Sequence, residues 1–94
     1  MRPVVETKKV CIYDDRVVIK RKNIILKKEE IKEIFYAKWT LKNYFYLSKC
    51  MTPGVVYIIL SNPSIFRKWY CFRMKYDDVK KIPKKLCERI IIRD

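Results

Sequence analysis

The sequence contains no histidine and only one glycine. Histidine is the side chain that most often acts as a general base or a metal ligand near neutral pH, so its absence removes the commonest basis of an enzyme active site. One glycine is too few for the glycine-rich loops that cradle phosphates in nucleotide-binding folds. We therefore expect no catalytic residues, no metal and no cofactor, and we predict that the protein is not an enzyme.

Acidic residues are missing from the middle of the chain. Between Glu33 and Asp77 there is no Asp or Glu, yet this stretch holds seven Lys or Arg and twelve of the thirteen aromatic residues. The whole chain carries a net charge of +13. A basic and aromatic stretch without carboxylates favours binding to anions such as phosphate backbones, phospholipid head groups or an acidic protein. The alternative explanation is a lysine-rich composition that serves no binding function.

Long apolar segments are also absent. The longest uninterrupted apolar run covers residues 55–60, whereas a membrane-spanning helix needs about 20 residues. The first ten residues lack the apolar segment of a secretory signal, so we expect a cytoplasmic protein, with peripheral membrane attachment as one form of anion binding. The four cysteines form no C-x-x-C pair. We expect them to be reduced and mostly buried, with Cys50 as the exposed one.

The hydrophobic periodicity of this 94-residue chain predicts one mainly β domain, residues 1–94, with a C-terminal helix. Strands are predicted at about 8–13, 16–21, 23–28, 34–47, 55–60 and 66–74. In the fourth strand the alternation predicts a core face and an outer face that carries Tyr36. The predicted core residues are Phe35, Ala37, Trp39, Leu41, Phe45 and Leu47. A stripe of apolar residues at helical spacing predicts a helix at about 78–90, and its members are Val79, Ile82, Leu86, Cys87 and Ile90.

This order of strands and helix resembles the pleckstrin-homology-like (PH-like) superfamily, in particular its small bacterial domains. The resemblance depends on KEEIKEI before the long strand, on the Asn62-Pro63 turn, and on YDDVKKI after WYCFRM. It implies a small antiparallel barrel or sandwich capped by one helix, and a non-catalytic docking function. The tip of the first hairpin departs from the phosphoinositide-binding members, because Asp14 and Asp15 are acidic where those members are basic.

Two groups of residues are candidates for anion binding. The first is a basic and aromatic outer face of the sheet, where lysine and arginine attract phosphates and exposed aromatic rings can stack on bases; its members are Lys38, Lys42, Arg67, Trp69 and Arg73, beside Tyr36, Tyr44 and Tyr46. The second is the polar face of the predicted helix, with Lys80, Lys81, Lys84 and Lys85. Cross-strand packing of the rings and ordinary solvation of the lysines are the alternatives.

The leading hypothesis is a PH-like interaction module that docks on an anionic surface, either membrane head groups or an acidic protein partner. One alternative is an RNA-binding or single-stranded-DNA-binding protein that uses the basic and aromatic sheet face. Another is a structural subunit of a larger assembly, because the segment Ile90-Ile91-Ile92 could pair with a sheet edge of its own chain or of a second copy in a homo-oligomer.

Overall fold

The computed structural model describes residues 2–47, 51–62 and 68–93. Within these ranges the chain forms eight strands and two short helices. Their bounds are β1 (Val5–Glu6), β2 (Val10–Ile12), β3 (Arg16–Ile19), β4 (Ile24–Lys27), β5 (Ile31–Ala37), α1 (Leu41–Tyr46), β6 (Val55–Leu60), β7 (Trp69–Arg73), α2 (Tyr76–Val79) and β8 (Ile90–Arg93). The protein is therefore mainly β, as the periodicity predicts.

The first sheet is an antiparallel meander with the order β1-β2-β3-β4. Strands β2, β3 and β4 lie within the predicted strands 8–13, 16–21 and 23–28, whereas β1 was not predicted. A single 3-10 turn joins β3 to β4 and ends at Asn23, which adopts the left-handed conformation with φ 52. Asparagine tolerates this conformation better than most residues, which explains why the tight turn occurs there.

The second sheet has the order β7-β6-β5-β8. Strand β6 lies between β5 and β7 and is antiparallel to both. Strand β8 runs parallel to β5, with Ile90 opposite Ile34 and Arg93 opposite Ala37. The isoleucine segment thus pairs with a sheet edge of its own chain, which was the first of the two pairings considered. Among the described strands, no strand of the first sheet pairs with a strand of the second. The two sheets therefore do not form a closed barrel.

The hydrophobic core lies between the two sheets. Val10, Ile12 and Val17 contribute from the first sheet, and Ile34 and Ile58 contribute from the second. The segment that follows β7 completes this core with four of the apolar side chains from the predicted helical stripe, Val79, Ile82, Leu86 and Cys87, all of them buried.

The predicted helix at 78–90 is wrong, although four of the five residues of its apolar stripe are buried; the fifth, Ile90, is half-buried. The helix α2 covers only Tyr76–Val79, turns follow it, and the chain then extends into β8. Pro83 explains the early end, because proline has no amide hydrogen to donate and disfavours helical geometry at the residue before it. The like-charged pairs Lys80/Lys84 and Lys81/Lys85 would also repel each other on a helix.

The predicted strand at 34–47 is wrong in its second half. Strand β5 ends at Ala37, and residues 41–46 form α1 instead. The burial of Ala37 is confirmed. The predicted alternation of faces is nevertheless wrong for most of this segment, because Tyr36 is buried and Trp39, after the strand, is exposed. A register irregularity between Ile31 and Glu33 accompanies this change of face, as expected for an extra residue inserted in one strand.

Candidate functional site

The short helix α1 is held to the body of the protein by a polar residue. Asn43 is fully buried, at 0% exposure. Its side-chain amide donates to the carbonyl of Lys38 at 2.7 Å and to the carbonyl of Arg93 at 3.3 Å. Its side-chain oxygen accepts from Arg93 Nε at 3.1 Å. Every polar atom of this side chain is therefore used to join α1 to the ends of β5 and β8.

The start of α1 is fixed in the same way. Thr40 is the N-cap, and its hydroxyl oxygen accepts a hydrogen bond from the backbone N–H of Asn43 at 3.1 Å. Such a cap satisfies one of the amide groups that a helix leaves unpaired at its first turn. The helix has only six residues, and an isolated peptide of this length would not be helical in water. The cap helps the helix to form in the protein.

The outward face of α1 is apolar. Successive residues of a helix are rotated by about 100°, so Leu41 and Phe45 lie on the side opposite Asn43. Their exposed fractions are 74% and 80%. Tyr44 and Tyr46 are also exposed, and Trp39 just before the helix is 62% exposed. This helix buries its asparagine and exposes its leucine and phenylalanine, which is the reverse of the usual surface helix.

A cleft of about 260 Å³ lies beside α1. It is lined by Trp39, Tyr44, Thr52, Pro53, Gly54 and Arg73. The Trp39 and Tyr44 rings meet edge to face at 5.6 Å between centroids. Gly54 has φ 80 and donates its N–H to the Ala37 carbonyl at 2.8 Å. Because this left-handed backbone strongly favours glycine, the only glycine of the chain stands at the turn that brings the loop beside Trp39.

Lysines from the two predicted groups meet at one aromatic ring. Lys38 Nζ and Lys80 Nζ each lie 4.8 Å from the centroid of the Tyr76 ring. Tyr76 in turn stacks on buried Tyr36 at 6.3 Å. These cation–π contacts hold two like charges close together on one side of the molecule. The sequence analysis assigned the strand lysines and the C-terminal lysines to separate candidate sites. In the structure, Lys38 of the first group and Lys80 of the second contact the same ring.

Three basic residues near α1 have no ion-pair partner in the part of the chain that the structure describes. Across the described residues, no carboxylate lies within 4.0 Å of the charged groups of Lys38, Lys42 or Arg73. Asp15 pairs with Arg16 at 3.1 Å, and Glu6 pairs with Lys20 at 3.0 Å. Arg73 also lines a second open cleft, which contains the acids Glu6 and Asp78 together with Lys8 and Lys75.

We call the α1 surface the set of exposed residues formed by Lys38, Trp39, Leu41, Lys42, Tyr44, Phe45 and Arg73. It combines an apolar tip formed by Leu41 and Phe45, the amphipathic rings of Trp39 and Tyr44, and three cations. These residues come from α1, from the end of β5 and from the end of β7. The surface can bind a negatively charged and partly apolar partner, because it offers both charge and desolvatable area.

The other predicted site residues are more dispersed. Trp69 is half-buried against Tyr57, with ring centroids 6.1 Å apart. Lys81 approaches Asp78 at 3.9 Å, and Lys84 and Lys85 are exposed in turns, so the predicted lysine row along one helix does not form. Arg67 lies outside the described residues.

The predicted basic and aromatic sheet face is also not formed as expected. Tyr36, placed on that face by the alternation, is buried, and burial raises the pKa of its hydroxyl. Lys42, Tyr44 and Tyr46 lie on α1 and not on a strand. Trp69 and Arg73 do share one face of β7, because they are four residues apart in an extended strand.

The cysteines provide no site of their own in the described ranges. Cys11, Cys71 and Cys87 are free thiols, and Cys50 is outside those ranges. Cys71 is exposed, which corrects the prediction that it is buried, because it points to the outer face of β7. Burial raises the pKa of the Cys87 thiol. Glu6 has a lowered pKa because Lys20 and the Cys11 thiol hydrogen-bond to its carboxylate.

Two features are absent from the described part of the chain. No group of three or more acidic or cysteine side chains there is placed to hold a metal ion. No helix there is both long enough and apolar enough to cross a bilayer.

The chain matches no model of a known protein family, no curated protein and no solved structure. The residues of the α1 surface are therefore the basis on which a function can be proposed. Sequence reasoning predicted Lys38, Lys42 and Arg73 but missed Leu41 and Phe45, which it placed in the core. The spacing of Thr40 and Asn43, which suits a helix N-cap, is the signal that could have revealed α1.

Proposed function

We propose that the protein is a non-catalytic interaction module that docks on an anionic surface through the α1 surface. Membrane head groups and an acidic protein are the two partners that this chemistry suits. The observation that carries the proposal is the position of α1, whose exposed apolar tip lies beside Lys38, Lys42 and Arg73 with no neutralising carboxylate among the described residues.

A PH-like relationship is part of this proposal. Two sheets of four strands and an opening antiparallel meander support it. The C-terminal segment departs from the family pattern, because a short helix, turns and a parallel strand stand where the closing helix is expected. The acidic tip at Asp14 and Asp15 also departs from phosphoinositide-binding members, and the α1 surface offers a different place for an anionic partner.

Nucleic acid remains an outcome of the test and not a second candidate. The net charge of +13 would attract any polyanion. Stacking on bases needs open ring faces, and Tyr36 is buried while Trp69 is half-buried against Tyr57. The exposed rings of α1 and of Trp39 are partly occupied as well, because Tyr44 meets Trp39 and Phe45 edge to face and Arg93 lies over Tyr46. The subunit hypothesis depended on the isoleucine segment, which pairs with β5 inside the chain.

The first prediction replaces two cations of the α1 surface by acids. Lys42→Glu combined with Arg73→Glu should weaken binding to anionic vesicles at least about tenfold, because each Lys or Arg near such a surface contributes about 1 kcal/mol. Both side chains are exposed and lack an ion-pair partner among the described residues, so thermal stability should stay nearly unchanged. Vesicle sedimentation at low and high salt measures the effect.

The matched control makes the same charge change far from α1. Lys28→Glu combined with Lys32→Glu serves this purpose, because both side chains are exposed and Lys32 precedes Lys38 by six residues of chain, about 20 Å in a strand. The control should bind nearly as well as the wild type. Equal loss in both double variants would mean that total charge, and not the α1 surface, drives binding. Tight binding to a single-stranded oligonucleotide with no binding to vesicles or to polyglutamate would support the nucleic-acid alternative.

A further inference from the structure

The apolar tip of α1 is the largest group of exposed hydrophobic side chains on one described element. Leu41 and Phe45 are the two most exposed of these, and Trp39, Tyr44 and Tyr46 surround them. Leaving such side chains in water is unfavourable, and contiguous exposed apolar groups usually mark a surface that another body covers. The charges beside them define what kind of body this is.

We propose that Leu41 and Phe45 insert into the head-group region of a membrane that contains anionic lipid. This inference depends on the proposed docking function and identifies its partner. Lys42 follows Leu41 directly, and the exposed rings of Trp39 and Tyr44 lie beside the tip. Apolar side chains at the tip, Trp and Tyr at the level of the head groups and lysines against anionic lipid form the usual pattern of an interfacial helix.

A second copy of the chain does not suit this surface. Two copies meeting through α1 would bring Lys38, Lys42 and Arg73 of each chain together, and none of these has an ion-pair partner among the described residues. Like charges brought together across an interface oppose association. An anionic bilayer instead supplies the opposite charge.

The shape of the tip favours a lipid surface over an acidic protein. Leu41 and Phe45 stand out from the molecule, with about three-quarters or more of each side chain exposed. Such protruding groups need matching pockets in a protein partner, whereas fluid lipid adapts to them. The helix is also preorganised, because Asn43 fixes it through Lys38 and Arg93 and Arg93 lies 3.4 Å from the centroid of the Tyr46 ring. Little conformational freedom is therefore lost on binding.

The test uses the full chain with vesicles of phosphatidylcholine and phosphatidylserine. Leu41→Ser combined with Phe45→Ser should weaken vesicle binding at least about tenfold, because two large apolar side chains no longer leave water. The matched control is Val4→Ser combined with Ile25→Ser, which removes two exposed apolar side chains from the region of the first sheet. It should bind within about twofold of the wild type.

Tryptophan fluorescence gives a second measurement in which Leu41 and Phe45 are left unchanged. Lipids brominated in the acyl chains should quench part of the emission of the wild-type protein. Trp39→Phe should remove this quenching, because the remaining tryptophan, Trp69, is half-buried against Tyr57. Loss of binding in the serine variant together with quenching of Trp39 is the expected result.

The outcomes separate this inference from the proposed function. If anionic vesicles bind in a way that depends on Lys42 and Arg73 but Trp39 is not quenched and the serine variant binds normally, the insertion is wrong and anionic docking stands. If the wild type binds polyglutamate but no vesicle, the partner is an acidic protein and the insertion is again wrong. If it binds no vesicle and no polyglutamate, the proposed function itself fails.

Discussion

At the scale of single residues, Cys87 illustrates how burial controls side-chain chemistry in this protein. Its sulfur lies in the core, 3.7 Å from the Lys32 carbonyl oxygen and 3.6 Å from the Arg89 carbonyl oxygen. Burial raises the pKa of the thiol because the apolar surroundings disfavour the thiolate. The folded protein thus holds this proton more tightly than the unfolded chain does.

This difference predicts that stability falls at alkaline pH. Below the pKa of an ordinary thiol, about 8.5, both states keep the proton and Cys87 adds no pH dependence. Above it the unfolded chain loses the proton while the folded protein keeps it, so unfolding becomes easier until the raised folded pKa is passed. Urea unfolding between pH 7 and pH 9.5, in the presence of a reductant, measures the change.

Cys87→Ala supplies the comparison for the alkaline prediction. The variant is expected to be less stable than the wild type near pH 7, because the core loses a buried sulfur. The gap between the two proteins should narrow as the pH rises, because the variant has no thiol to titrate at this position. A gap that stays constant over the whole range would contradict the prediction.

At the scale of elements, the attachment of α1 depends on one buried side chain. Asn43→Ala removes the two donors that satisfy the carbonyls of Lys38 and Arg93 and the acceptor for Arg93 Nε. The Arg93 carbonyl keeps the backbone N–H of Lys38 as a donor at 2.8 Å, but the Lys38 carbonyl and Arg93 Nε lose the partner that Asn43 supplies. Such a loss costs about 1–3 kcal/mol, so we expect a loss of stability of this size in urea unfolding. Vesicle binding should also weaken, because α1 is then less firmly held.

The neighbouring position provides the control for α1. Lys42→Ala changes an exposed residue of the same helix to a better helix former, so its effect on stability should be near zero. If Lys42→Ala lowered the stability as much as Asn43→Ala does, any substitution in α1 would be destabilising, and the effect could not be assigned to the buried amide of Asn43.

Two elements differ from the sequence-based predictions for different reasons. In the segment 38–47, apolar and polar residues alternate as in a strand, but the helix forms because Thr40 caps it and Asn43 finds partners on two other elements. In the segment 78–90, the spacing correctly identified four of five residues as buried and was wrong for half-buried Ile90. Pro83 and the lysine pairs oppose a helix, so Val79 is buried from the short helix α2 and the other three from the irregular segment after it.

At the scale of the whole molecule, the core depends on side chains that arrive from three directions. Leu86 is fully buried, at 0% exposure, in the cluster that unites both sheets. Leu86 lies in a turn, and its backbone N–H donates a hydrogen bond to the Pro83 carbonyl at 3.1 Å. Its contribution comes from packing and not from the regular structure around it.

Leu86→Ala should therefore lower the free energy of unfolding by about 2–5 kcal/mol, the range for a buried leucine replaced by alanine. The control is Leu41→Ala, which makes the same substitution at a leucine that is 74% exposed and should have little effect. Urea unfolding of the two variants and the wild type under identical conditions gives both values. A loss below about 1 kcal/mol for Leu86→Ala would show that the segment after α2 is not part of the cooperative core.

The charge of the molecule is distributed by the fold as well as by the sequence. Several acids are used away from α1, as in the Asp15–Arg16 and Arg89–Glu33 pairs. The acid-free stretch contributes Lys38, Lys42 and Arg73 to one surface, and Tyr76 joins Lys38 to Lys80. Among the described residues, Lys38, Lys42 and Arg73 therefore have no carboxylate partner.

The sequence by itself determined the mainly β composition, the burial of Val79, Ile82, Leu86 and Cys87, and the region that is basic and free of acids. These properties follow from local patterns and composition. Only the tertiary structure decided which face of β5 is buried, that 41–46 is a helix, and that Leu41 and Phe45 point outward. The physical reason is that Asn43 gains its hydrogen bonds from Lys38 and from Arg93, which lies fifty residues away, and no local pattern contains such a distant partner.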